Sequence, residues 1–286
     1  MHSAQVFTFI EGLLMNNRRA THRPPRTEPD SGAETESEAL LGRIAAALDA
    51  EPMLDASRRS LCLMVTSNGE VTLEGEVDSL EARARALEIA QQFADVRRVV
   101  DKLVLRAPIA MSDGEMRDAF CREILGEIAF EDCRILACAE GTEDLARDPA
   151  APRGTVIAHI DNAVITLEGE APSLVHARLA GTIAWWVPGT RAVRNYLRVI
   201  PPEEDSDEEI SDAVRVVLDK EPLVDAGQLR ITTANGEVAL AGTLPSSAQR
   251  DIAVRDAWYV AGVRRVVDNI SVRAGAQQEG RGAIAR

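Results

Sequence analysis

Residues 237–247 read EVALAGTLPSS, and residues 262–272 read GVRRVVDNISV. The first stretch alternates apolar and polar residues as a half-buried strand does, and Pro245 and Ser246 then break it. The second leaves a glycine and returns to a strand-like run through Val266, Val267, Ile270 and Val272. Between them, Ala253, Val254, Ala257 and Val260 fall on one helical face. The reading is strand, helix, strand. Upstream it recurs twice, as EVTLEGEVDSL (70–80) with DVRRVVDKLVL (95–105), and as VITLEGEAPSL (164–174) with GTRAVRNYLRV (189–199). Gly75, Gly169 and Gly242 each lie seven residues after an asparagine, and each second stretch starts twenty residues beyond its glycine. No gap is needed, so the chain holds three copies of one unit.

Each copy extends upstream. Leu41, Ile44 and Leu48, and again Ile210, Val214, Val217 and Leu218, have helical spacing, and Pro52 and Pro222 should end those helices. A hairpin follows. Asn68-Gly69 and Asn235-Gly236 suit a type I′ turn, whereas Asn162-Ala163 suits it poorly and predicts a tip shifted to Asp161-Asn162. Ser79, Ser173 and Ser246 read as N-caps of the second helix, which should end at Asp95, Gly189 or Gly262 in a left-handed residue. Gly75, Gly169 and Gly242 interrupt strands, which a bulge or a close backbone approach explains.

The fold class is therefore α+β, an α/β sandwich of three αββαβ repeats. Each repeat is expected to be a three-stranded mixed sheet with two helices on one face. The units run 38–106, 113–200 and 206–273. The second carries an insertion at about 133–155, Gly/Pro-rich and partly acidic, which is expected to be a solvated loop. Residues 1–37 and 274–286 are expected to be disordered.

The chain is acidic, with a formal net charge of −14 spread over all three units. Binding nucleic acid by phosphate neutralisation is excluded on that ground, and adsorption to an anionic membrane would need a local basic or aromatic patch. No apolar run is long enough for a transmembrane helix. The first residues do not read as a secretory signal, so a cytoplasmic chain is the expectation from them. Cys62, Cys121, Cys133 and Cys138 do not recur between repeats and read as free thiols, with a Cys133–Cys138 bridge as the oxidising-compartment alternative.

Chemistry-bearing motifs are missing. His2, His22, His159 and His176 form no metal-ligand spacing with one another or with the cysteines, and no nucleophile elbow, Walker loop or dinucleotide fingerprint occurs. The sequence predicts no enzyme, no metal and no cofactor.

The repeated pattern resembles the BON domain, named for bacterial osmotic-stress and nodulation proteins. Val71, Leu73, Gly75, Val96, Val99, Asp101 and Leu103 carry it in the first unit. Ile165, Leu167, Gly169, Gly189, Val193, Asn195 and Leu197 carry it in the second. Val238, Leu240, Gly242, Gly262, Val263, Val266, Asp268 and Ile270 carry it in the third. The resemblance implies a non-enzymatic module of stress response or envelope maintenance. Its partner would be a phospholipid membrane surface or an envelope protein, and its compartment the periplasm or cell envelope. The alternative is a cytoplasmic protein–protein scaffold without lipid affinity.

Aromatic residues are only 3% of the chain, yet AWWVPG (184–189) and AWYVAG (257–262) hold all three tryptophans at matching places. Counting helical turns, Trp185 and Trp258 lie on the shoulder of the buried face, and Trp186 and Tyr259 point away from their own cores. Three readings are open: packing of one lobe on another, an aromatic anchor at a membrane interface, or a protein-partner patch. The recurrent basic residues near these rings are Arg191 and Arg194 in the second unit and Arg264 and Arg265 in the third, with Arg97 and Arg98 in the first. Together, Trp185, Trp186, Trp258, Tyr259, Arg191, Arg194, Arg264 and Arg265 are the candidate lipid- or partner-binding residues.

Overall fold

The computed structural model describes residues 6–9, 31–107 and 109–273. The expected tail at 274–286 lies outside the described residues. The chain divides into two compact units, Met1–Arg106 and Ala107–Arg286. The first holds one repeat and the second holds two.

In the first repeat the order is β1 (Val6–Phe9), α1 (Ser31–Asp49), β2 (Cys62–Val65), β3 (Glu70–Val77), α2 (Leu80–Gln91) and β4 (Arg98–Leu105). The sheet order is β1-β2-β3-β4, with β1–β2 and β2–β3 antiparallel and β3–β4 parallel. Residues 1–37 were expected to be disordered, yet Val6–Phe9 is a strand and α1 begins at Ser31. The reason is local. VFTF is built from residue types with high strand propensity, and Ala33, Glu34 and Glu36 are good helix formers. Leu40, Ile44, Leu48, Leu63, Val71, Leu73, Ala86 and Leu103 fill a core of its own.

The second unit continues with α3 (Asp113–Gly126), β5 (Cys133–Ala139), β6 (Thr142–Arg147), β7 (Gly154–Asp161), β8 (Val164–Ala171), α4 (Leu174–Trp186), β9 (Ala192–Asn195) and β10 (Arg198–Val199). It closes with α5 (Asp207–Lys220), β11 (Leu229–Ala234), β12 (Glu237–Leu244), α6 (Ser247–Tyr259) and β13 (Arg265–Val272). The third repeat has the expected three-stranded sheet, β11-β12-β13.

The second repeat does not. Its sheet has six strands, because the insertion expected to be a loop forms β5 and β6. β5 pairs in parallel with β7 and antiparallel with β6. Cys133, Ile135, Ala137 and Ala139 alternate inward and are buried. That strict alternation has the period of a strand, and the Gly/Pro-rich residues are only the connection after it.

Three repeated contacts explain the repeated letters. The first is a close approach. Gly75, Gly169 and Gly242 have φ of +135°, +115° and +156°. A Cβ there would lie 1.9 Å from the Ser60 carbonyl oxygen, 2.2 Å from that of Thr155 and 2.1 Å from that of Gln228. The second is the N-cap. Ser79 Oγ accepts from Ala82 N at 3.0 Å, and Ser173 and Ser246 accept from His176 N and Gln249 N, each at 3.3 Å. The third is the Asp or Asn of the closing strand. Asp101, Asn195 and Asp268 each accept from the backbone N–H two residues on, at 2.9, 3.2 and 2.9 Å.

Two turn expectations change. Asn162 and Ala163 have φ of +52° and +61°, so the type I′ tip stays where it is despite the alanine. Asp113, the first residue of α3, accepts from both turn amides at 2.8 and 2.9 Å and holds the tip there. Asp207 does the same for Asn235 and Gly236, at 2.6 and 2.9 Å. Nor do the glycines end the second helices. Extended Val187 and Val260 are the C-caps, and left-handed Gly189 and Gly262 (φ +89° and +96°) follow two residues later.

A glycine pair tests the close approach. Gly242→Ala should destabilise the protein by more than ~2 kcal/mol in denaturant unfolding, because backbone cannot move aside. Gly42→Ala, in α1 with open space around it, should be neutral or stabilising by up to ~1 kcal/mol. Equal effects would show that the close approach is not what requires glycine.

Candidate functional site

The second and third repeats share one hydrophobic core, and α4 lies inside it. Eight consecutive residues of α4, Ala177 through Ala184, are buried. A helix covered on every side needs small or apolar residues all round, which ARLAGTIA supplies apart from Arg178 and Thr182. Thr182 Oγ1 donates to the Arg178 carbonyl at 3.1 Å. Arg178 is 4% exposed. Its Nε donates to the Ala261 carbonyl at 2.9 Å, and its Nη2 pairs with Asp205. Lys220, on α5, pairs with Glu127 at the end of α3. These contacts staple the third repeat to the second.

The aromatic residues belong to the same seam. Trp185 stacks on Tyr259, with ring centroids 5.5 Å apart and planes 9° from parallel. The two look-alike stretches thus meet each other. Trp186 and Trp258 are half-buried and pack on the shared core. Trp186, expected to point away from its own repeat's core, packs on the core that the second and third repeats share. Its indole Nε1 is buried and has no hydrogen-bond partner among the described residues. Both helices of the third repeat, α5 and α6, pack against α4.

The arginines are placed differently. Arg265 pairs with Glu237 at 3.4 Å, across the β12–β13 ladder. Arg98 faces Glu70 at 3.9 Å, Lys102 faces Glu74 at 3.7 Å and Arg198 faces Glu170 at 2.8 Å in the same way. Recurrent glutamates on the central strands thus neutralise recurrent cations on the closing strands, each pair worth about 0–1 kcal/mol. Arg264 leans on the hairpin tip, where a Cβ on Gly236 would lie 3.1 Å from its Cγ. Arg191 is half-buried and its amide donates to the Ala163 carbonyl at 2.9 Å. Arg194 is exposed on β9.

Reading by repeat position overlooked Tyr196, which is 62% exposed. Arg194, Tyr196, Arg198 and Ile200 alternate along the edge strands β9 and β10 and are all exposed. The alternation is visible in RNYLRVI, but it lies in one repeat only, so a search for recurrent residues passes over it.

Desolvation raises all four thiols, Cys121 to about 11, so none is an activated nucleophile. Ser173 Oγ lies 2.6 Å from His176 Nδ1, but that serine is the helix cap found in all three repeats, and burial lowers the imidazole's pKa. No group of three or more His, Cys, Asp or Glu gathers among the described residues. A cavity of about 560 Å³ in the first repeat is lined by Glu36, Ser37, Arg43, Asn68, Asp95 and Arg97, with Arg43 and Asp95 paired. No helix of the described residues is long and apolar enough to cross a membrane.

One buried acid stands out. Asp256, on α6, is 0% exposed, and its Oδ2 has no hydrogen-bond partner among the described residues. Ile89 and Ile183 hold the equivalent places in the other repeats. Desolvation pushes its pKa up to about 6, Arg255 opposes the rise, and Glu221 adds to it.

Comparison with known proteins follows the same repeats. The family model described as BON domain matches residues 38–107, 141–201 and 206–274. Its second match begins after α3 and β5, where the extra strands separate the first helix from its hairpin. Over 119 residues, 40% of this chain, the sequence is 29% identical to osmotically-inducible protein Y of Escherichia coli (strain K12). The match spans 59% of that protein's length. The C-terminal domain of CdsD, a structural protein of the type III secretion system of Chlamydia trachomatis, aligns over 82% of this chain and 98% of its own, at 13% identity and a TM-score of 0.22. A second CdsD structure aligns over 83% and 94%, at 14% identity and a TM-score of 0.23.

Two measurements test the seam. A double-mutant cycle on Trp185→Ala and Tyr259→Ala should give a coupling of about 1 kcal/mol in unfolding, and a value near zero would show that the stack contributes nothing. For Asp256 the folded pKa lies above the unfolded value, so stability is gained as pH falls through about 6. Relative to Asp256→Asn, the protein should gain about 1.4 kcal/mol between pH 7.5 and pH 5. Parallel pH profiles for the two proteins would contradict this.

Proposed function

Because this chain belongs to the BON domain family, carrying three successive copies, we propose that it is a non-catalytic stress or envelope-maintenance module that acts by surface contact. The polar groups that could serve catalysis already have structural work. The serines cap helices, the aspartates hold turns, and the cations of the closing strands face glutamates. The similarity to osmotically-inducible protein Y supports a stress connection.

The observation that carries the reading is the exposed strip Arg194, Tyr196, Arg198 and Ile200 on one sheet edge of the second repeat. Alternating cations, a phenol and an aliphatic side chain suit a phospholipid surface. The Arg194 guanidinium meets a headgroup phosphate, Arg198 being paired with Glu170, and the amphipathic ring sits at headgroup depth. The aromatic seam is a poorer candidate, since its rings stack on each other. The second reading, contact with an envelope protein, is favoured by the net charge of −14, which opposes an anionic bilayer everywhere except at such a strip.

Cosedimentation with vesicles containing phosphatidylglycerol, against vesicles of phosphatidylcholine alone, decides between them. The intact protein should bind the anionic vesicles at low salt, and Arg194→Ala with Tyr196→Ala should weaken binding about tenfold. Absence of vesicle binding at low salt would remove the lipid reading and leave protein contact.

A further inference from the structure

The first hairpin strand of each repeat has a free side, and the three repeats treat it differently. In the first repeat, β1 pairs antiparallel on the outer side of β2. In the second, β5 pairs on the outer side of β7. In the third, among the described residues, nothing pairs on the outer side of β11. The other sheet edges are guarded. β4 carries Asp101 and Lys102, and β13 carries Arg265 and Asp268. β6 carries Glu143 and Asp144 and faces a register shift in β5, whereas β1 has four residues and β10 two. Charges, bulges and shortness are the usual protections against strand addition. β11 has none of them beyond Arg230. It is six residues long, LRITTA, with no proline and a regular ladder to β12.

We propose that the β11 edge pairs antiparallel with β11 of a second copy of this chain. The register follows from the hairpin. Ala234 and Glu237 close a two-residue turn, so they exchange both hydrogen bonds. Thr232 and Arg230 then bond inward, and Leu229, Ile231 and Thr233 turn their N–H and C=O groups outward. A two-fold axis through Ile231 sets Leu229 opposite the partner's Thr233, and Arg230 opposite the partner's Thr232. Six backbone hydrogen bonds form. The buried faces of the two sheets lie on the same side, and the one charge in the strand meets a neutral residue. A second copy is the occupant the chain itself favours, since both covered edges are covered by its own strands. The contact is small, so the dimer is weak, with a Kd of roughly 0.1 mM.

Position 232 tests the register with opposite signs. Thr232 is exposed, so variants there should fold, as circular dichroism will check. In sedimentation equilibrium of the full chain, Thr232→Glu places a carboxylate opposite each Arg230 and should tighten the dimer about tenfold, whereas Thr232→Arg should weaken it by at least as much. Hydrogen exchange at Leu229, Ile231 and Thr233 should slow as protein concentration rises. A monomer at every concentration for both the natural chain and Thr232→Glu overturns the proposal. So does a dimer indifferent to position 232. Slow exchange at those amides in a chain that stays monomeric also overturns it, by showing that another segment of the same chain covers the edge.

Discussion

The burial of α4 on every side organises the larger compact unit. One αββαβ repeat has a helix pair with an inner face on the sheet and an outer face toward water. In the second repeat that outer face is covered, because α5 and α6 of the third repeat pack against α4. Two small cores become one, which raises the apolar area removed from water for the same number of residues. The aromatic rings follow from this. Large flat side chains close a seam between two helix layers better than the chain's abundant alanines can, so Trp185 and Tyr259 lie where the helices meet.

The seam also accounts for its own polar exceptions. Arg178 sits where a lone repeat would present a surface residue, and it is buried because the third repeat arrives there. Its bonds to the Ala261 carbonyl and Asp205 satisfy two of its nitrogens, while Nη1 has no partner among the described residues. Asp256 is the converse case, a carboxyl where its sister repeats have isoleucine. A buried acid with one oxygen unpaired is a local loss of stability. Protonation removes the buried charge and so lessens that loss.

Within each repeat the helix and the closing strand are tied by one side-chain position. Asp101 pairs with Arg83 at 2.6 Å, and Asp268 with Arg250 at 3.6 Å. In the second repeat both partners change together. Asn195 donates to the carbonyl of Ala177, which stands in the arginine's place, at 2.6 Å. Gly181 makes room, since a Cβ there would lie 2.9 Å from Asn195 Nδ2. Ala177 is buried, and there a neutral amide bonded to backbone stands where the other repeats have an ion pair.

The sequence by itself determined the repeat, the element order common to its copies and the serine N-caps of the second helices. Those features depend on local backbone geometry and on periodicities of two and 3.6, which are written in neighbouring residues. It also turned Trp186 and Tyr259 away from their own cores, toward a second partner, and set Trp185 and Trp258 on the shoulder of the buried face. Which partner was left open, because helical spacing shows what one helix hides and not what covers its other side. Only the tertiary structure decided that two repeats share a core, that part of the insertion at about 133–155 adds strands to a sheet, and that Arg98, Arg198 and Arg265 face glutamates across a ladder. Each of these depends on residues far apart in the chain meeting across a ladder or a helix interface. The exposed strip through Tyr196 was written in the alternation of RNYLRVI. Its meaning needed the sheet edge, because an alternating strand names two faces and only packing says which one meets water.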